Sequence, residues 1–493
     1  MYSLGIDVGS SSVKVSLLNI KSGECIASST NPKVEMAIEA PQSGWAEQDP
    51  KMWWGYVKDG VRELAESAEV SRIASIGISY QMHGLVVVDK DGEPLRRSII
   101  WCDSRAVEIG AKAYSELGEE YCKEHLLNSP GNFTASKLRW VKENEPELFA
   151  KIHKFMLPGD YIAYCLSGEI STTDTGLSEG ILWDFKEDGR SSKLAEHYGI
   201  PSEIFSDNGV AIGVRAYTTE AIESELGIKS GTPISYRAGD QPNNAFSLGV
   251  MEAGEVAATG GTSGVVYGVI EKPQGDALSR VNPFLHVNHT ATAPHYGVLL
   301  CINGTGIANA WVKRNFAAHL SYDQINELAN EAPLGSDGVM VLPFGNGAER
   351  VLENRYTKCM IAGLELTTHN LSHILRATQE GIAFAFRYGI DVMREMGLNL
   401  NVIRAGKANL FLSPLFRQTL STLCDAKIEL FNTDGALGAA RGAALGAGFY
   451  KSADQAFSSL KCLEEITPIV QDKETLEAAY QNWKEQLLKQ LTK

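Results

Sequence analysis

Two short turns built almost wholly from glycine and hydroxyl residues are the first places in this chain where chemistry can happen. Gly9-Ser10-Ser11-Ser12 follows the apolar run 3–8, and Gly260-Gly261-Thr262-Ser263-Gly264 follows the strand-like run 255–259. Small residues let main-chain N–H groups approach an anion closely, and the hydroxyls add donors. Each turn is therefore either a phosphate cradle or a plain tight hairpin. Asp7 stands just before the first turn, placed to hold Mg²⁺ directly or through water. Asp240 follows glycine in Arg237-Ala238-Gly239-Asp240-Gln241, close to the middle of the chain. It either takes the proton of an attacking hydroxyl or caps a helix at Pro242. The Walker pattern G-x-x-x-x-G-K-[ST] is absent, because Ala408 follows Gly406-Lys407. A nucleotide site here is of another kind.

A second group of residues has the types that recognise a polar small molecule. His83 lies in Gln81-Met82-His83-Gly84, directly after the strand-like run 73–79. It is a satisfied structural residue or a contact at the C-terminal edge of an open α/β sheet, where such sheets bind ligands. Trp45 is a core aromatic or part of a site. Asp103 and Arg105, in Trp101-Cys102-Asp103-Ser104-Arg105, make a surface ion pair or, beside their tryptophans, bind sugar hydroxyls.

Such residues need rigid elements to hold them. Val13, Val15 and Leu17 alternate with polar residues after the first turn, which predicts an opening hairpin, with a third strand near 25–28. Trp53, Val57, Val61 and Leu64 recur at helical spacing from about Pro50. Residues 85–89 read as the returning strand. The strand–turn–strand unit recurs at 255–267, about half a chain later, and predicts a duplicated α/β domain with a boundary near residue 246. In the second half, residues 370–396 form a long amphipathic pattern that Gly397 stops. A short strand at 402–405 leads into Gly406-Lys407-Ala408-Asn409. Ser413 then precedes Pro414, an N-cap followed by proline at the first helical position. Gly438, Gly442 and Gly446 lie four apart, so the helix that carries them can sit close to a sheet or a ligand.

Composition removes several classes. A chain of 493 residues makes two to four domains at roughly 100–200 residues each. Its 45 Lys+Arg against 60 Asp+Glu leave a net charge of −15, which argues against a nucleic-acid or anionic-membrane partner. Hydrophobic residues at 44% and charged ones at 21% are those of an ordinary globular protein. The eight cysteines are scattered and form no C-x-x-C pair, so zinc ribbons and disulfide frameworks are not expected. The start MYSLGIDVG has no basic region or apolar signal core, and no stretch reaches membrane-spanning length. A cytoplasmic protein with reduced thiols is the expectation.

Together these segments resemble the FGGY family of carbohydrate kinases, and within it the xylulokinases, over nearly the whole chain. The resemblance is carried by Gly5-Ile6-Asp7-Val8-Gly9, by Trp45-Ala46-Glu47-Gln48-Asp49-Pro50 with Trp53-Trp54, and by Gln81-Met82-His83-Gly84. Residues 133–141 and 363–381 match the two family signatures. The resemblance implies an α/β, actin-like architecture: two RNase H-like domains around a central cleft. Residues 1–246 would hold the sugar and the first phosphate hairpin, and residues 247–493 would hold ATP. Asp240 matches the catalytic base and Asp7 the acid near Mg²⁺ and phosphate, with both as candidate metal ligands. Met82 and His83 match the sugar-contacting pair, joined at the sugar by Trp45, Asp103, Arg105, Asp240 and Gln241. ATP would meet Gly9, Ser10, Ser11, Ser12 and Lys14 on one side. On the other it would meet Gly261, Thr262, Ser263, Gly406, Lys407 and Asn409.

The implied reaction is ATP-dependent phosphorylation of D-xylulose to D-xylulose 5-phosphate, in pentose catabolism, by a homodimer. Two readings stand beside it: an FGGY kinase for ribulose, a deoxy-ketose or gluconate, and an actin- or chaperone-like ATPase switch with no sugar substrate. The chain departs from the xylulokinase pattern in places. Gln241 stands where asparagine is usual, and Ala405-Gly406-Lys407-Ala408-Asn409 replaces a run of three glycines.

Overall fold

The computed structural model describes residues 1–492. Its frame is two mixed sheets, each beginning with a meander. In the first, β1 (Tyr2–Val8), β2 (Val13–Asn19) and β3 (Cys25–Asn31) pair antiparallel. β4 (Ile73–Tyr80) joins β1 in parallel and β6 (Pro233–Gly239) joins β4 in parallel, while β5 (Ile212–Tyr217) closes that edge antiparallel. In the second sheet, β7 (Glu255–Gly260), β8 (Gly264–Ile270) and β10 (Tyr296–Ile302) repeat the meander, with β9 (Asn282–Leu285) outside β10. β11 (Val402–Gly406) and β12 (Lys427–Phe431) then add in parallel to β7, and β13 (Glu464–Ile466) closes the edge. The same five-strand pattern thus occurs twice, which is the duplication that the paired hairpins predict.

Local chemistry explains the elements. α1 (Pro50–Ala65) starts where Asp49 accepts the Lys51 N–H at 2.9 Å and Pro50 fills the first turn. Its Trp53, Val57, Val61 and Leu64 pack on Leu4, Ile6, Val15, Ile76 and Ile78 of the first sheet. Full burial of each such side chain contributes about 1.5–3 kcal/mol. The segment 85–89 behaves differently from the expectation. Val86–Val88 pairs with Lys154–Met156 and does not return to the main sheet. The place beside β4 is taken by β6, and the chain leaves β4 through His83 in a left-handed conformation, which turns it away.

The remaining helices that matter here are α2 (Thr134–Asn144), α3 (Asp174–Glu179), α4 (Asp240–Ser247), α5 (Gly306–Phe316), α6 (Leu371–Glu395) and α7 (Gly435–Gly446). α7 carries the glycines spaced by four, and it does lie close to a sheet. The sheet is the one built by the first half of the chain. A Cβ added at Gly5 would lie 1.7 Å from the Ala436 carbonyl oxygen, and one at Gly77 2.0 Å from that of Ala439. Ser3 Oγ donates to the Ala440 carbonyl at 2.6 Å and Ser235 Oγ to that of Ala443 at 2.7 Å. α4, in whose last turn residue 246 falls, packs on α7, and Asn243 Nδ2 donates to the Gly435 carbonyl at 2.9 Å. All eight cysteines are free. Among the described residues no helix is long and apolar enough to cross a membrane.

His286, just after β9, locks the second meander. Its Nε2 donates to the Val250 carbonyl at 3.1 Å, so its Nδ1 accepts from the Tyr267 hydroxyl at 3.0 Å. Burial pushes its pKa from 6.5 down to about 3. Between those values the unfolded chain binds a proton that the folded chain refuses. The stability contribution is therefore complete above about 6.5 and is lost as the pH falls, at about 1.4 kcal/mol per unit. The variant His286→Gln should lose stability less steeply than the parent between about pH 6.5 and about pH 4 in urea titrations. Parallel pH dependences in the two proteins would refute this.

Candidate active site

The two glycine-hydroxyl turns stand at matching corners of the two sheets. In the first, Gly9 donates its N–H to the Ser12 carbonyl at 3.0 Å. Gln48 Nε2 donates to the Ser10 carbonyl at 2.7 Å, while Gln48 Oε1 accepts from Gln81 Nε2 at 3.1 Å, tying the turn to the end of β4. The exposed Ser11 donates its hydroxyl to Glu35 at 3.1 Å. In the second turn, Thr262 accepts the Ile307 N–H at the start of α5, at 3.1 Å. Asn409, with φ +52°, brings its Nδ2 to 3.9 Å from where a Cβ of Gly261 would stand. The loop after β11 and the second turn therefore meet. Lys407, expected to meet ATP, follows β11 in the same loop. Its Nζ is held by Glu464 at 3.1 Å, on the neighbouring edge strand.

Between the corners lies a group of carboxylates. Asp7 is paired across the sheet with Lys14 and Ser79. Burial raises its pKa; the Ser79 hydroxyl opposes this, Asp434 adds to it and Lys14 again opposes. Asp434 caps α7 by accepting the Leu437 N–H at 2.9 Å and binds Lys14 Nζ at 2.6 Å. Lys14 is thus an ion-pair partner at the junction of the two halves. Only glycine fits at 435, because a Cβ there would lie 2.4 Å from Asp7 Oδ2. Asp240 is the first residue of α4; Gly239 holds the cap position and no side chain caps the helix, so the capping role read from the sequence is not seen. Burial and then the Asp7 charge push it up to about 7, against the N–H and amide of Gln241. Two half-buried carboxylates with raised pKa values are hard oxygen donors of the kind Mg²⁺ takes, and a cation would bring both back down. The residues present fit that ion.

The polar small-molecule side is built around His83. Its φ of +62° is left-handed, and Lys137 Nζ fixes it by donating to the His83 carbonyl at 2.8 Å and to that of Ile100 at 3.0 Å. The His83 Nδ1 must donate to the Glu179 carbonyl at 2.9 Å, which leaves Nε2 as a free acceptor. The ring stands edge-on to Phe133 at 4.7 Å and 5.7 Å from Phe284, which comes from the second half. Burial, helped by the Lys137 charge, pushes its pKa down to about 3, so the ring is neutral. Met82 is buried against Gly239. Asp103 and Arg105 do not form a surface ion pair: they are 0% and 1% exposed and 2.6 Å apart. Arg105 lies 3.7 Å over the Trp45 ring and also meets Glu47 at 2.8 Å. The Asp103 carboxylate is consumed by Arg105 and the Ala46 N–H, and Arg105 Nη1 is the one donor of the cluster left unpartnered.

Sequence reasoning missed Lys137 as a charge, Glu179 and Asp434. Asp434 had a readable signal, an Asp-Gly pair before an alanine-rich helix. The other two had none, because only the fold shows that they are buried beside His83.

The family profile for the N-terminal domain of the FGGY family of carbohydrate kinases matches residues 2–247, and the C-terminal domain profile matches residues 256–449. The chain belongs to the FGGY family of carbohydrate kinases. It is similar to the xylulose kinase of Bacillus subtilis, 29% identical over 467 residues, 92% of this chain and 90% of that protein. Its fold matches the crystal structure of xylulose kinase from Rhodospirillum rubrum at a TM-score of 0.88 and 24% identity, covering 99% of both chains. It matches gluconate kinase from Lactobacillus acidophilus at 0.89 and 22% identity, over 98% of this chain and 97% of that one. This FGGY kinase is therefore an ATP-dependent sugar kinase with the two-domain α/β, actin-like fold of the family.

In this kinase Lys137→Met should leave the His83 carbonyl without its donor, at a cost of about 1–3 kcal/mol in stability. The sugar KM should rise at least ~10-fold while the ATP KM stays within about 2-fold. Steady-state kinetics with each substrate varied in turn would check this; equal changes in both would make Lys137 a core residue only.

Proposed function

We propose that this kinase transfers the terminal phosphoryl group of ATP to the 5-hydroxyl of D-xylulose, giving D-xylulose 5-phosphate and ADP. The observation that carries the reading is the junction of two features: a half-buried Asp240 whose pKa is pushed up to about 7, and a His83 whose Nε2 is free to accept a hydroxyl proton. The curated relative with 29% identity supports xylulose as the acceptor. In this reading residues 1–246 carry the sugar and residues 247–493 carry ATP, in a cytoplasmic homodimer.

The roles follow from the groups present. His83 Nε2 and the Arg105 Nη1 donor orient the sugar, with Met82 closing one wall. The Asp240 carboxylate takes the proton of the attacking hydroxyl, and Gln241 holds that carboxylate in place. Asp7 holds Mg²⁺, directly or through water, with Asp240 beside it. Mg²⁺ bound with ATP supplies neutralisation of the phosphate charge. The N–H groups of the turns 9–12 and 261–263 donate to the phosphates, and Asn409 flanks the second turn. An ATPase switch without an acceptor has no use for a neutral histidine between Phe133 and Phe284, and family membership weighs against it as well.

ADP release would be measured with D-xylulose, L-xylulose, D- and L-ribulose, L-fuculose, glycerol and gluconate, with a no-sugar control. D-Xylulose should give the highest kcat/KM, and Asp240→Asn should lose at least ~10² in kcat while still binding ATP. A different best acceptor would move the substrate but leave the chemistry. Parent-like turnover by Asp240→Asn would remove Asp240 as the base.

A further inference from the structure

One buried acid at the acceptor site has no role in the roles above. Glu179 ends α3 and is 2% exposed. Three contacts fix its place. Its main-chain carbonyl accepts from His83 Nδ1 at 2.9 Å. A Cβ added at Gly239 would lie 2.3 Å from Glu179 Oε2 and 2.5 Å from Met82 Cγ. The carboxyl therefore stands at the end of β6, one residue before Asp240, against the same glycine that Met82 covers. The hydroxyl oxygen of its neighbour Ser178 accepts the Leu285 N–H at 2.9 Å, which pins α3 to the strand that carries Phe284.

What this carboxyl lacks is a charged partner. Its Oε1 makes no hydrogen bond of normal geometry, nor does the Tyr80 hydroxyl on the strand next to it, which stands close enough to the acid to lower its pKa. Among the described residues no cation lies within ion-pair distance of Glu179. The nearby Arg237 is taken by Asp160 at 3.1 Å, and Lys137 by two carbonyls. A buried polar atom left unpaired costs about 1–3 kcal/mol, so native structures keep one where a ligand satisfies it. Burial and then the charge of Asp240 raise its pKa well above the usual carboxylate value, with Asp160 adding to this and the Tyr80 hydroxyl opposing it. A carboxyl oxygen left without a full partner can accept from a sugar hydroxyl.

We propose that Glu179 is a specificity-determining contact of the acceptor site, hydrogen-bonded through Oε1 to a sugar hydroxyl other than the one phosphorylated. The proposal rests on the reading of Asp240 and His83 as that site. Its ligand class is a polyol or ketose with a free hydroxyl next to the reacting end.

The test is steady-state kinetics of the parent, Glu179→Gln, Glu179→Ala and Glu179→Leu, with the best acceptor and its monodeoxy analogues. Glu179→Ala should raise the acceptor KM about 10- to 100-fold with the ATP KM within about 2-fold. Glu179→Gln keeps a donor and an acceptor and should stay within about 3-fold of the parent. One deoxy analogue should lose about 10- to 100-fold in kcat/KM with the parent and less than about 3-fold with Glu179→Ala, because the contact is already gone. Should the alanine variant fail to fold, Glu179→Leu fills the volume without polar atoms and is read in the same way. Acceptor and ATP KM rising together, or every analogue losing equally in parent and variant, would overturn the proposal alone. A parent whose ADP release ignores every acceptor would overturn the underlying reading and this proposal with it.

Discussion

The contact on which the molecule depends is backbone laid on backbone. The helix 435–446 belongs to the second half of the chain, yet it rests on β1 and β4 of the first half with no side chain between them at Gly5 and Gly77. Such an approach is open only to glycine, and the serine hydroxyls that reach helix carbonyls at 2.6 and 2.7 Å hold it in register. The consequence is chemical. Seating this helix places Asp434 on Lys14 and lays Gly435 against Asp7, so the surroundings of Asp7 are set by a piece of chain more than four hundred positions away. The helix 240–247 packs beside it with Asp240 at its start. The two helices form the floor that joins the halves, and Asp7 and Asp240 sit where that floor begins.

Burial does most of the electrostatic work at this floor, and it acts in two directions. It raises Asp7 and Asp240 and lowers His83 and Lys137. The common cause is that a charge in a dry site loses its water. The result is a site reluctant to hold any net charge until its ligands arrive. A cation near Asp7 and Asp240 reverses the carboxylate shifts, and a neutral His83 presents an acceptor without repelling a cation. Lys137 shows the same economy. Pushed down to about 7 by burial, it makes no ion pair and serves as a donor to two carbonyls, which holds the left-handed turn at His83.

Much of this was legible in the sequence wherever a pattern is local. The opening hairpin, the helix from Pro50, the Ser413 cap and the long helix stopped by Gly397 all follow from spacing and cap residues, and they fold as their patterns predict. Asp7 could be singled out because it stands just before a glycine-hydroxyl turn, and Asp240 because it follows glycine at a strand end. What local pattern cannot show is the partner across space. Asp103 and Arg105 could be read as a surface pair because nothing nearby in sequence announces that Glu47 and Trp140 close over Arg105. The Glu464 partner of Lys407, on the adjoining strand, is likewise invisible in the local sequence. Glu179 gave no signal, since a glutamate at a helix end is usually exposed and only the position of Gly239 reveals that this one is not.

The same frame superposes on kinases named for xylulose and for gluconate with TM-scores of 0.88 and 0.89, so the choice of acceptor cannot reside in the frame. It has to reside in side chains that line the acceptor site and whose polar atoms are not already spent on one another. Asp103 spends its carboxylate inside its own cluster. His83 Nε2, Arg105 Nη1 and Glu179 Oε1 are each buried or half-buried and make no hydrogen bond of normal geometry to the protein. The His83 ring is also walled by Phe133 from the first half and Phe284 from the second. In the proposed reading a sugar seated there has a complete pocket only when the halves are together, which would tie its recognition to the exclusion of water from the phosphoryl group.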